Sequence, residues 1–374
     1  MAGGICYTCA MHVKEKLRVL LLADSPYFGG ITTHLMSIAR SMAGSPFEIC
    51  MATLPGRRDD IALIDACRRE TIPVREFQMA YAFDVAILPQ LRRYVAENGI
   101  GLVHTHNYRA TLLARLARLP VPTVNTCHGA AAERSLRLKA WQWAELRAAR
   151  HNRLTIACSD YVRRWLETRG LDGGRIRTIR NGYAPPGDVK EVTRAQLGIR
   201  ESDLLAFYAG RLCDGKGVEH LVEAVSGMAG VTVLAAGDGP LRGDLERQAQ
   251  AMGAPVRFLG RMADPAPFYR VADVVVLPSR MEALPMALIE AAAFGRPSIA
   301  TGVGGVPEVV ERAGSGALVD YGDVKGLRGA LEQMKDAQMR DAMGRRARQI
   351  WEERFTRERF ARDLAEAYSE AAGS

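Results

Sequence analysis

In SRMEALPMALIEAAAFG (279–295), Glu282 and Glu290 are separated by seven residues. Pro285 between them can take the first position of a helix, where its missing N–H costs nothing, and Gly295 can end that helix. One carboxylate then stands in the loop ahead of a positive helix end and the other about two turns on. Upstream, GRLCDGKG supplies Arg211 and Lys216. A planar fork and a point charge both suit phosphate oxygens, and the glycines around them let the backbone approach closely. His104 and His106 form an H-x-H pair on one face of a strand, which suits a metal, but no third or fourth ligand is evident at matching spacing. There is no Asp-x-Asp anywhere in the chain. Taken alone, each carboxylate reads as an ordinary solvated group and the R-x4-K as an ordinary surface loop.

What positions these groups is a repeated strand–helix alternation. The first half offers strands at 18–23, 47–54, 101–106, 123–127 and 154–158. The second offers them at 204–210, 231–237, 256–260, 273–279, 297–301 and 316–320. These Val/Ile/Leu runs lack strict polar alternation, as strands buried on both faces of a parallel sheet do. Alternation with helices implies α/β architecture: two Rossmann-like, doubly wound parallel-sheet domains facing across a cleft, with ligands at the carboxyl ends of the strands. We read a tail over 1–16, a first domain over 17–185, a second over 186–355 and a terminal helical segment over 356–374 that caps the second domain. NGYAPPGDVKEVTRAQLG (181–198) has the glycine, prolines and charge of an inter-domain linker.

With 374 residues the chain has room for two cores, and its 48% hydrophobic and 25% charged composition is that of a globular protein. No apolar run is long enough to span a membrane, and the start has no signal-peptide pattern, so the expected location is cytoplasmic. Seven scattered cysteines argue against a disulfide framework, and Cys6-x-x-Cys9 has only His12 nearby, too little for a zinc site. A net charge of +8 comes without any recognisable nucleic-acid module, so no nucleic-acid partner is expected. Excess Arg suits anionic substrates or an anionic membrane surface equally well.

Taken in order, AGRLCDGKGVEHLVEA (209–224), AAGDGPLRGDLE (235–246), the long block 258–301 and VGGVPEVV (303–310) closely resemble the retaining GT-B glycosyltransferases of group 1, the GT4-like family. GGITTHLMSIA (29–39), LVHTHNYRA (102–110), TCHG (126–129), ACSDYV (157–162) and IRNGY (179–183) extend the likeness, more thinly, through the first half. The resemblance makes Glu282 and Glu290 the family's E-x7-E pair, Glu282 holding hydroxyls of the transferred sugar and Glu290 the ribose. It implies His128 at the donor sugar, Gly29 and Gly30 facing the diphosphate, and Gly237, Arg261, Ala283, Leu284 and Pro285 along the donor site. His34, His104, His106 and Asn181 fall on the acceptor side. Without Asp-x-Asp, fixed cations must replace a metal, so Arg211 and Lys216 neutralise the leaving diphosphate and no divalent cofactor is expected. The co-substrate is a nucleotide diphosphate sugar, UDP being the commonest carrier in the family. Two departures, Tyr183-Ala184 after Asn181-Gly182 and Ala283-Leu284 after Glu282, leave the sugar open.

The segment 134–153 mixes Arg with Trp141 and Trp143. It reads either as an interfacial helix on anionic lipid, with a lipid-linked acceptor, or as a domain helix with its Trp residues packed inward. Competing functions are a nucleotide-sugar epimerase of the same fold and a non-catalytic nucleotide-sugar-binding protein. A phosphorylase would need a pyridoxal phosphate lysine environment that is not visible. A dinucleotide oxidoreductase would need G-x-G-x-x-G, and GDGPLRG places its last glycine one residue too late.

Overall fold

The computed structural model describes residues 16–23, 30–54, 61–79, 84–129, 136–311 and 314–373. Cys6, Cys9, His12 and Gly29 lie outside them. The first sheet is built from β1 (Leu17–Ala23), β2 (Phe47–Thr53), β3 (Val74–Glu76), β4 (Ile100–His106), β5 (Thr123–Cys127), β6 (Leu154–Ala157) and β7 (Ile176–Thr178). Its order is β3-β2-β1-β4-β5-β6-β7, and every pairing is parallel. The second sheet has β8 (Leu204–Ala209), β9 (Val231–Ala236), β10 (Val256–Gly260), β11 (Val274–Leu277), β12 (Ser298–Thr301) and β13 (Gly316–Val319) in the order β10-β9-β8-β11-β12-β13, again all parallel. Both are Rossmann orders, in which the direction of winding reverses beside the first strand and opens a crevice at the strand ends.

Helices α1 (Gly30–Met42), α2 (Ile61–Arg69), α3 (Ile87–Glu97), α4 (Tyr108–Leu116), α5 (Leu136–Ala149) and α6 (Asp160–Glu167) follow the strands of the first sheet. Helices α7 (Val218–Val225), α8 (Arg242–Ala251), α9 (Ala266–Val271), α10 (Met286–Ala293) and α11 (Val324–Gln333) do so for the second, followed by α12 (Ala337–Arg354) and α13 (Arg357–Ala372). Strand β1 shows why the runs read as buried: Val19 to Ala23 are all fully inaccessible, because helices cover both faces. One apolar cluster continues from Cys127, Val162 and Leu166 of the first domain into the second sheet.

The structure corrects two expectations. Helix α13 does not cap the second domain. Its stripe of Phe360, Leu364, Ala367, Tyr368 and Ala371 is buried against Val19, Leu21, Leu35 and Ile38 of the first. The chain crosses back at Thr356, where Tyr183 N–H donates to Phe355 O at 2.9 Å and Trp351 Nε1 donates to Tyr183 O at 3.1 Å. The second correction follows from this: the start of the supposed linker is clamped. A Cβ on Gly182 would lie 2.6 Å from Thr356 O, so the crossing requires glycine there. Among the described residues no helix is long and apolar enough to cross a membrane.

Candidate active site

Strands β8 and β11 are neighbours, and the loops leaving their carboxyl ends are tied together. Gly217 caps α7 at φ +69°, and a Cβ there would fall 2.0 Å from Pro278 O. Arg280 N–H donates to Gly215 O at 2.8 Å. Across this seam Lys216 Nζ meets Glu282 Oε1 at 2.7 Å, with side chains 27% and 14% exposed. Cation and carboxylate, expected on separate errands, therefore hold one another in the ligand-free chain. Arg211 is exposed at the start of the same loop, its carbonyl accepting from Tyr208 OH at 3.0 Å. Gly237 packs rather than displays: at φ +140° a Cβ would stand 1.8 Å from Gly210 O, so glycine lets the loops after β8 and β9 touch backbone to backbone. Arg261 is exposed just beyond β10, the edge strand of the second sheet.

Pro285 caps α10 from just outside, at φ −80° and ψ 108°, rather than taking the first helical position. Gly295 ends the helix as expected, at φ +65°, with Gly295 N–H on Ala292 O and Arg296 N–H on Ala291 O. The Glu282–Leu284 turn rests on two glycines. Gly305 N–H donates to Glu282 O at 2.9 Å, and a Cβ on Gly304 or Gly305 would come within 1.9 Å or 2.1 Å of the Glu282 or Ala283 carbonyl. Leu284 and Pro285 are buried beneath, and Ala283 is half-buried. Glu290 lies one helix face away, partly covered. Burial pushes its carboxyl up to about 7, the Tyr269 hydroxyl pulls modestly the other way, and the Asp264 charge adds to the rise.

In the first domain Gly30 opens α1, and one helix and two strand ends bring three imidazoles together. His34 of α1, His106 at the end of β4 and His128 just after β5 place ring nitrogens within 4.8 Å of one another. His106 Nδ1 and His128 Nε2 are 3.4 Å apart. Burial, with lesser repulsion from neighbouring imidazoles, holds His34 and His106 well below the ordinary histidine value. Burial alone lowers His128 to about 4. All three are neutral at pH 7. Asn181 is buried beside His34 and slightly favours its protonated form. His104 is a correction: Nδ1 meets Tyr368 OH at 2.8 Å and Nε2 meets Thr126 Oγ1 at 2.7 Å, so it locks α13 to the sheet and cannot reach an acceptor. The histidines grouped with His106 are therefore His34 and His128, not His104.

The two halves touch. Gly129, at φ +84°, faces Ala283 so closely that a Cβ would lie 2.8 Å from the Ala283 Cβ. Ser159 Oγ donates to Ala283 O at 2.7 Å while accepting from Val162 N–H at 3.2 Å as the N-cap of α6. Glu308 accepts from Tyr161 N–H at 3.0 Å and pairs with Arg180, which also binds Asp160. Sequence reasoning assigned Ser159, Arg180 and Glu308 nothing. A lone Ser or Glu has no spacing signal, and each partner lies over a hundred residues away across the domain gap.

With this geometry in view, the comparisons agree. Residues 189–350 match the family model "Glycosyl transferases group 1", and residues 28–185 match "Glycosyltransferase Family 4". The chain is 29% identical over 415 aligned positions to D-inositol 3-phosphate glycosyltransferase of Rhodococcus erythropolis, covering 97% of this chain and 93% of that protein. It is 26% identical over 351 positions to UDP-Gal:alpha-D-GlcNAc-diphosphoundecaprenol alpha-1,3-galactosyltransferase of Escherichia coli, covering 84% and 89%. Among solved structures, Anabaena HepE in complex with UDP-glucose superposes with a TM-score of 0.82 at 21% identity, covering 94% of this chain and 99% of that one. That likeness establishes the GT-B fold.

Proposed function

The chain belongs to the group 1 glycosyltransferases and acts on nucleotide sugars, and on that premise we propose that it transfers a sugar with retention, from UDP and without a divalent metal at the diphosphate, to a glycan or lipid-linked acceptor. One observation carries this reading: Lys216 and Glu282 are paired at 2.7 Å in the crevice between β8 and β11, beside the Ala283 that Gly129 of the first domain faces. A diphosphate entering there meets Lys216, with Arg211 on the same loop, in place of a metal. Glu282, released from Lys216 by the incoming anion, then has oxygens for sugar hydroxyls. The first-turn N–H groups of α10 add partial positive charge at the same end.

Transfer breaks the bond between the anomeric carbon and the β-phosphate oxygen while the acceptor hydroxyl oxygen bonds to that carbon from the same face. The hydroxyl proton passes to an oxygen of the departing diphosphate. Arg211 and Lys216 offset the growing negative charge, and His128, neutral at pH 7, orients the sugar through a hydrogen bond without repelling the cationic ring. Glu290 takes the ribose hydroxyls. UDP is supported by the names of similar proteins, one using UDP-Gal and one bound to UDP-glucose. The first of these acts on a diphosphoundecaprenol-linked sugar, which favours a lipid-linked acceptor here.

An anionic membrane surface is the matching partner. Trp143 is 63% exposed with Arg147 over its ring at 5.2 Å, whereas Trp141 stacks on Tyr108 at 5.4 Å. One tryptophan is thus a surface anchor and the other a packing residue. The test is turnover of UDP-sugars with lipid-linked acceptors in EDTA, reading the new linkage by NMR. Retained configuration with UDP release supports the proposal. Inversion, or a glycosyl-enzyme adduct on a carboxylate, refutes the front-face route. Sugar interconversion without UDP release identifies an epimerase instead.

A further inference from the structure

Three imidazoles meet at the strand ends of the first sheet, and the transfer reaction uses one of them. His34, His106 and His128 come from α1, β4 and the turn after β5, and their ligand atoms lie within 4.8 Å of one another. The 3.4 Å between His106 Nδ1 and His128 Nε2 is informative. A tetrahedral Zn²⁺ with bonds of about 2.0–2.1 Å separates its ligand nitrogens by about 3.3–3.4 Å. That pair, within hydrogen-bond reach as it stands, has the spacing that a shared ion would impose, and the His34 nitrogen lies within 4.8 Å of both.

A second observation points the same way. Among the described residues, neither ring nitrogen of His34, only 6% exposed, has a partner in good hydrogen-bond geometry, Asn181 being the polar side chain that bears on it. Buried polar atoms are seldom left unpaired, and several at one spot call for an ion or water. His104, beside His106 with ring centroids 4.2 Å apart, is excluded as a ligand because Tyr368 and Thr126 occupy its nitrogens. It serves instead as a fixed wall behind the cluster. Burial keeps the imidazoles unprotonated at pH 7, the form a metal requires.

We propose that His34, His106 and His128 bind one divalent transition-metal ion of the Zn²⁺, Co²⁺ and Ni²⁺ class, with the fourth coordination position open to the cleft. Three neutral nitrogens select these ions over Mg²⁺ and Ca²⁺, which prefer oxygen. One consequence rests on the proposed function: an ion on His128 occupies the corner assigned to the donor sugar, so it inhibits transfer. The site is then an inhibitory one, separate from the metal-free diphosphate site on Arg211 and Lys216.

The test is titration of the full, chelator-stripped chain with Co²⁺, followed by visible absorption. One equivalent should give the bands of four-coordinate Co²⁺, displaced by Zn²⁺ and untouched by excess Mg²⁺. His106→Gln and His34→Asn should each weaken binding by at least about 100-fold, beyond the usual loss for a supporting residue. His151→Gln, on the surface, and the double variant Cys6→Ser/Cys9→Ser should bind as the parent does. A folded parent chain without these bands overturns the proposal, and that titration needs no variant to fold. Bands that survive both histidine changes, or vanish with the cysteines, overturn it equally. In UDP-sugar turnover, Zn²⁺ should inhibit with the midpoint seen for binding. Metal binding without inhibition keeps the site and overturns the placement of His128 at the sugar.

Discussion

Ser159 makes a quantitative prediction because its hydroxyl does two jobs. It accepts from Val162 N–H at 3.2 Å as a helix cap and donates to Ala283 O at 2.7 Å across the domain gap, with no exposed surface. In Ser159→Ala, losing the cap costs about 1 kcal/mol and losing the cross-domain bond about 1 kcal/mol more. Denaturant unfolding should therefore show roughly 2 kcal/mol of lost stability. Only the second half bears on turnover, since it fixes the loop between Glu282 and Leu284 against Gly129 of the first domain. We expect kcat/KM to fall about fivefold, the equivalent of about 1 kcal/mol. UDP affinity should be unchanged, because Lys216 and Glu290 both belong to the second domain. Ser159→Thr keeps the hydroxyl and should restore both stability and rate. If Ser159→Ala loses stability and keeps full kcat/KM, the serine is merely a helix cap and the cross-domain positioning is wrong.

Other outcomes follow from the same geometry. Lys216→Met should lower kcat by at least about 100-fold with the fold intact by circular dichroism, as expected for removing a charge aimed at the leaving group; near-normal turnover would exclude that role. Gly237→Ala, forcing a Cβ to within 1.8 Å of Gly210 O at φ +140°, should destabilise the chain by about 2–4 kcal/mol in urea melts. Glu290 gives a signed pH dependence. Its carboxyl is raised to about 7 in the folded chain, so the fold gains from protonation, and stability declines as pH rises from about 4.5 to 7. Glu290→Gln should therefore be more stable than the parent by roughly 3 kcal/mol at pH 8, with the difference vanishing near pH 4; a constant difference would show that the carboxyl is not perturbed. The histidines act oppositely. His128 and His104, lowered by burial to about 4 and about 3, stay neutral in the fold while the unfolded chain takes up protons below about pH 6.5, so stability drops as pH falls through that window. Trp143→Ala should weaken flotation with anionic vesicles about tenfold, whereas Trp141→Ala should act on thermal stability through Tyr108; equal vesicle binding by parent and Trp143→Ala would remove the membrane partner.

Much of this was legible in the sequence for physical reasons. Strands buried on both faces announce themselves as apolar runs, and the eleven read this way all exist. Strands β3 and β7 escaped because they are three-residue edges, VRE and IRT, whose charged residues reach solvent. The E-x7-E pair was readable because both carboxylates sit on one loop and helix, where local spacing fixes geometry. Helix α13 was misplaced because an amphipathic stripe reveals burial without naming the surface that covers it. The His34–His106–His128 cluster was invisible for a related reason. Its members lie on three separate segments, and only the adjacency of β1, β4 and β5 brings them together. His104 looked like the natural partner of His106, and folding gave it to Tyr368 instead.

The most direct test of the central claim is a thermal-shift panel of UDP, GDP, ADP and dTDP with their sugars, in EDTA. Ligand at a hundred times its Kd stabilises by about 2.7 kcal/mol, enough to move the midpoint visibly. UDP and UDP-sugars should raise it selectively, the shift should survive EDTA, and it should collapse in Arg211→Ala and Lys216→Met. A shift that requires a divalent metal, or that both variants retain, would contradict the fixed-cation diphosphate site.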